Sequence, residues 1–187
     1  ILIVKGIFIM KKLLKNDFVI SLVVMVLIVV SFASMFAPVA TVGNDYISFY
    51  QALHYELNDA IPVCKGIVSL IVFSSLSLLV VIALVVFNKL SEEQIIKAFK
   101  KKNVFYIVKF ILLIALSIFL FVSIFLAFFG YSEFVSTIGT SGIIKNWSKR
   151  EYGFGCILVG VSNVLAFLFS AFNAYIARPT TDLLYGE

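Results

Sequence analysis

Charge is scarce in this chain. Asp, Glu, Lys and Arg make up only 13% of its 187 residues, about half the share usual in soluble domains. At 62% apolar content, it carries more apolar surface than one soluble core of this size could hide. Lipid is the simplest solvent that accepts such a chain. Histidine occurs once, as His54, which excludes a bis-histidine haem within one chain and argues against a histidine metal centre. The two cysteines form no CxxC pair. The long apolar runs contain no carboxylate, so metal-assisted hydrolysis and proton-coupled transport lack their usual groups. No strand–elbow–helix context exposes a serine nucleophile. The sequence therefore offers no catalytic residue, no metal ligand set and no cofactor motif, and it is read as non-enzymatic.

What is present is four apolar runs, 18–37, 67–87, 104–129 and 154–177, each close to the roughly 20 residues that cross a bilayer as a helix. The three prolines stand at their ends: Pro38 after the first, Pro62 before the second, Pro179 after the fourth. That placement leaves the internal hydrogen bonds of each helix intact, where water cannot replace them. The expected fold is an all-α integral membrane protein: a four-transmembrane-helix bundle forming one domain over 1–187. Lys109 is the one charge inside a run, and about one and a half turns from its end it is expected to snorkel to headgroups. The chain opens on ILIVKGIFIM, so Met10 offers an alternative start. The stretch 10–33 also has signal-peptide anatomy, with Ser31-Phe32-Ala33 as a cleavage site. The apolar run continues to Ala37, which favours a retained span.

The formal net charge of +5 does not point to nucleic acid, because the basic residues fall between apolar blocks rather than along one stripe. It points to topology. Lys5, Lys11, Lys12, Lys15, Lys89, Lys97, Lys100, Lys101, Lys102 and Arg178 share one side of the four-span plan, against Lys65, Lys145, Lys149 and Arg150 on the other. By the positive-inside rule both termini are expected in the cytoplasm, in a cell membrane, with loops 38–66 and 130–153 outside. Lys97, Lys100, Lys101 and Lys102 are the expected contacts with inner-leaflet lipid. Just before them, Ser91-Glu92-Glu93-Gln94 has the spacing of a capping box that starts a short helix.

Apolar or aromatic residues at 46, 49, 50, 53, 57, 60 and 61 have helical spacing, with Asn44 or Asp45 available as an N-cap. A short amphipathic helix is therefore expected in the first extracytoplasmic loop. It would plug the end of the bundle or, alternatively, offer Tyr55, Glu56 and Asp59 to a partner, with Trp147 of the third loop beside them. Asn146-Trp147-Ser148 is a glycosylation triplet of low specificity. Cys64 and Cys156 flank the second and fourth runs at similar depth. They are a disulfide candidate in an oxidising exterior, or else two small buried thiols.

The fourth run poses the sharpest question. Ser162, Ala166, Ser170 and Ala174 recur every fourth residue, with Asn163 and Asn173 nearby, opposite Ile157, Val161, Leu165, Leu168 and Phe172. An amide facing acyl chains loses its hydrogen bonds, so both asparagines are expected to face inward. Serines of the second run, Ser69, Ser74, Ser75 and Ser77, are the expected mates. This is either a helix-packing seam or a polar cavity for water, an ion or a small solute. The leading functional expectation is a non-enzymatic accessory or scaffold subunit. It would meet another integral membrane protein, or further copies of itself, through helix faces and its two outer loops. The alternative is a small-solute or ion pathway lined by Asn163, Ser170, Asn173 and Ser74. No family motif appears.

Overall fold

A computed structural model describes residues 17–42, 45–51, 65–99, 102–141 and 149–177. In chain order these form α1 (Asp17–Ser34), β1 (Pro38–Val42), β2 (Asp45–Ser48), α2 (Lys65–Phe87), α3 (Glu92–Phe99), α4 (Lys102–Ser141), β3 (Glu151–Tyr152) and α5 (Phe154–Ile176). Among the described residues four helices, α1, α2, α4 and α5, are long and apolar enough to cross a membrane. They pack in a ring, α1 on α2, α2 on α4, α4 on α5 and α5 back on α1. Consequently α2 and α5 stand across the bundle from each other. Residues that face away from the ring are large and apolar, among them Val26, Leu79, Ile118, Phe125 and Leu168, as a lipid-facing surface requires.

Glycine sets how closely these helices approach. A Cβ on Gly66 of α2 would lie 2.7 Å from the Cα of Gly130 in α4, so the two backbones touch without side chains between them. Nearby, Glu133 accepts a hydrogen bond from the Gly66 amide at 2.8 Å, satisfying one of the free donors at the start of α2. The expected break after residue 129 does not occur. Instead α4 runs for 40 residues, about 60 Å at 1.5 Å per residue and roughly twice a hydrocarbon core.

At the opposite end of the bundle the charges are tied together. Lys109 reaches a carboxylate at the start of α1. Its ammonium is buried and donates to the Asp17 carboxylate at 2.6 Å. Asn88 of the turn after α2 donates to the Asp17 carbonyl and to Ser21 Oγ, so three spans meet in one polar knot. The capping box closes as spaced: Ser91 N–H donates to Gln94 Oε1 and Gln94 N–H to Ser91 Oγ. The apolar side of α3 turns to protein, with Ile95 buried and Phe99 stacked edge-on with Phe87 and Phe105.

The first loop moves the start of the expected helix. Residues 45–48 are a strand, and the helical turn starts only at Phe49. Its cap is Ser48, whose Oγ accepts from Gln51 N–H while Gln51 Oε1 accepts from Ser48 N–H. Residues 52–64 lie outside the described residues. β1 is the centre of a three-stranded antiparallel sheet ordered β2-β1-β3, with a bulge at Val39 where the register to β2 shifts. Proline opens β1, the strand position where its missing donor costs least. Val39, Ala40, Ile47 and Phe49 pack with Met35, Ile67, Leu70, Ala127, Phe134 and Val159. The sheet therefore closes one end of the bundle.

Candidate functional site

Two apolar clusters fill the bundle. The one beneath the sheet ends at Met35, Leu70, Ala127 and Val159. The other, toward the Asp17–Lys109 pair, begins at Ile28, Val81, Leu120 and Ala166. Every span has buried polar residues in the interval between them: Ser31 and Ser34 in α1, Ser74 and Ser77 in α2, Ser123 in α4, Ser162 and Asn163 in α5. The bundle thus carries a polar layer between two apolar clusters. Ser34, Ser77 and Ser123 donate to the carbonyls of Val30, Phe73 and Phe119 in their own helices. Ser31 Oγ, Ser74 Oγ and Asn163 Nδ2 have no hydrogen-bond partner in the structure.

On α5, Ser162, Asn163, Ala166, Ser170 and Asn173 are all buried, while Ile157, Val161, Leu165, Leu168 and Phe172 are exposed. The mate of this stripe is not the one expected. Because α2 is diagonal to α5, its serines do not hold the stripe; Ser170 Oγ lies 2.9 Å from Ser117 Oγ of α4. Ser75 instead donates to the Ile71 carbonyl. Asn173 Oδ1 is buried without a partner, ten residues beyond Asn163. A double-mutant cycle on Ser117→Ala and Ser170→Ala is expected to give a coupling of about 0.6–1 kcal/mol, read by unfolding in mixed micelles. Zero coupling would mean that each hydroxyl is satisfied within its own helix, as Ser117 partly is through the Leu113 carbonyl at 2.9 Å.

The second candidate region joins the sheet to a lipid-facing groove. Tyr152 of β3 stacks on Tyr131 of α4 with centroids 5.4 Å apart. Both line an apolar groove of about 610 Å³ with Phe128, Cys156, Gly160 and Leu165. A Cβ on Gly160 would meet nothing within 4 Å; this glycine leaves an opening where the others permit contact. Tyr46, Tyr50 and Phe36 are also exposed at the sheet end, with Phe36 and Tyr50 paired at 4.9 Å. Cys156 is a free thiol; Cys64, its candidate disulfide partner, lies outside the described residues. So do Tyr55, Glu56, Asp59, Trp147, His54, Met10, Lys100 and Lys101. Lys97 is exposed near the end of α3 and Lys102 is the first residue of α4. Among the described residues no three His, Cys, Asp or Glu side chains stand together as a metal site.

Sequence reasoning missed Ser31, Ser123, Tyr131 and Tyr152 as members of these regions. The two serines are lone hydroxyls in apolar runs, a signal that gains meaning only when helix neighbours are known. Comparison with family models, with curated proteins and with solved structures finds no match.

Proposed function

We propose that the chain is a non-enzymatic membrane accessory or scaffold protein whose sheet and adjoining groove together receive another integral membrane protein. One observation carries the reading: Tyr152 belongs both to the sheet and to the groove between α4 and α5. A partner filling both must have a membrane helix for the groove and a polar segment for the sheet. Exposed aromatic side chains around an apolar recess are the usual composition of interface centres. β2 and β3 are the two edges of the sheet, and an edge strand is a template for backbone pairing with a second chain. The basic residues favour an orientation with both termini cytoplasmic and the sheet outside. The alternative, a solute or ion pathway along Ser74, Asn163, Ser170 and Asn173, would have to pass Val81, Leu120 and Ala166 of the second apolar cluster between Asn163 and Ser170.

A photoreactive residue at position 152 and another at Leu165 are expected to crosslink the same integral membrane protein in native membranes. Gly160→Trp, which fills the groove, is expected to cut both yields at least five-fold. Crosslinks only to further copies of this chain would replace the partner with self-assembly. Crosslinks to lipid alone would end the proposal.

A further inference from the structure

We infer that Ser31, Ser74 and Asn163 bind water, in a closed hydration site at the middle of the bundle shared by α1, α2 and α5. This is independent of the partner proposed above. Each of the three residues is at least 98% buried, and each has a polar side-chain atom without a partner. Each belongs to the interval between the two apolar clusters. α1 is the ring neighbour of both α2 and α5, so Ser31 stands between the other two around the bundle. The remaining hydroxyls of α1, α2 and α4 in the layer are bonded to carbonyls of their own helices. Three groups that come from three helices are left over.

Their chemistry selects the ligand. The Asn163 amide nitrogen can only donate, whereas the two hydroxyls donate and accept. A ligand serving all three must therefore accept at least one hydrogen bond and be free to donate others. Water does both, typically making about three bonds in a buried site. Rotating the Asn163 amide by half a turn exchanges its donor for its acceptor, and water serves that arrangement equally. An ion does not fit. The buried residues of the layer include no charged side chain, so an ion there would be uncompensated between two apolar clusters. Leu70 and Val159 flank the layer on one side, Val81 and Ala166 on the other.

The test is water-edited solid-state NMR on the labelled full chain in lipid bilayers. Magnetisation is expected to pass from water to Ser31, Ser74 and Asn163 at least three-fold faster than to Leu70 and Leu113 of the flanking clusters. Ser74→Ala, which removes one hydroxyl and no hydrogen bond within the protein, is expected to slow the transfer to Asn163 at least two-fold. Asn163→Leu is expected to abolish it at Ser31 and Ser74 while Ser21, at the ion-pair end, keeps its own. Should Asn163→Leu fail to fold, the Ser74→Ala comparison decides alone. Transfer to the three residues no faster than to Leu113 would overturn the site. Transfer running unbroken from Asn163 through Ser117 and Ser170 to Asn173 would equally overturn it, by making it part of a continuous water path.

Discussion

Gly153→Val should lower stability by about 3 kcal/mol, the upper part of the range for overpacking, and release the sheet from the bundle. Gly153 has φ −79° and ψ 154°, a conformation open to any residue. Glycine is needed for space. A Cβ here would fall 2.2 Å from the Pro38 carbonyl oxygen and 2.5 Å from its carbon. These are backbone atoms at the bulge of β1, and they cannot rotate aside. The Gly153 amide also donates to the Val39 carbonyl at 2.8 Å, so any retreat breaks a bond that extends the β1–β3 pairing of the first and third loops. Two residues on, Gly155 is pressed against the Ser34 and Ala37 carbonyls in the same way. Gly160→Val is the control. Its new side chain points into open groove, and a change within about 0.5 kcal/mol is expected. Equilibrium unfolding of both variants in mixed detergent micelles makes the comparison. Equal stability of Gly153→Val and the parent chain would show that the sheet contributes nothing to holding the bundle closed.

The second large effect lies at the far end and is asymmetric. Asp17→Ala is expected to cost about 2–3 kcal/mol, and Lys109→Met about 1 kcal/mol or less. Breaking a buried ion pair costs roughly 3–5 kcal/mol because the surviving charge is stranded. The two partners are not equally stranded. The Lys109 side chain is 11% exposed and that of Asp17 is 31% exposed, which lowers both figures below the fully buried case. Asp17 also occupies the first turn of α1, where a carboxylate is favoured by the free amides of the helix start. Left alone, Asp17 keeps water and a helix terminus; left alone, Lys109 keeps neither. Methionine at 109 also preserves most of the packing volume. Unfolding free energies of the two single variants decide the matter, and equal losses would contradict this account.

How much of this was legible beforehand depends on the range of the interaction. Four apolar runs with prolines at their ends gave four helices to within a few residues for α1, α2 and α5, because length and hydropathy are local properties. The inward turn of Asn163 and Asn173 followed from the cost of an amide in hydrocarbon, which any single helix must respect. The neighbours of that stripe did not follow. Ser117 meets Ser170 because of the ring order, and ring order is set by backbone approaches such as Gly66 on Gly130. The sheet was hidden for a related reason. Its strands have five, four and two residues, and the short third one comes from more than a hundred residues downstream. The aromatic spacing at 46, 49 and 50 fits a helix as well as it fits a strand that turns into one. Ser48 with Gln51 was the readable cap, but Asn44 and Asp45 before it drew the start too early.

The order of the ring has a consequence for how the protein is made. α1 packs against α2 and, more extensively, against α5, which lies about 120 residues later in the chain. During synthesis the first helix therefore waits for the last before its main contact surface is covered. Until Phe154–Ile176 has left the ribosome, the hydroxyls of Ser31 and Ser34 and the carbonyls that later receive Gly155 are without their final surroundings. A chain cut short before that helix lacks the main packing partner of α1.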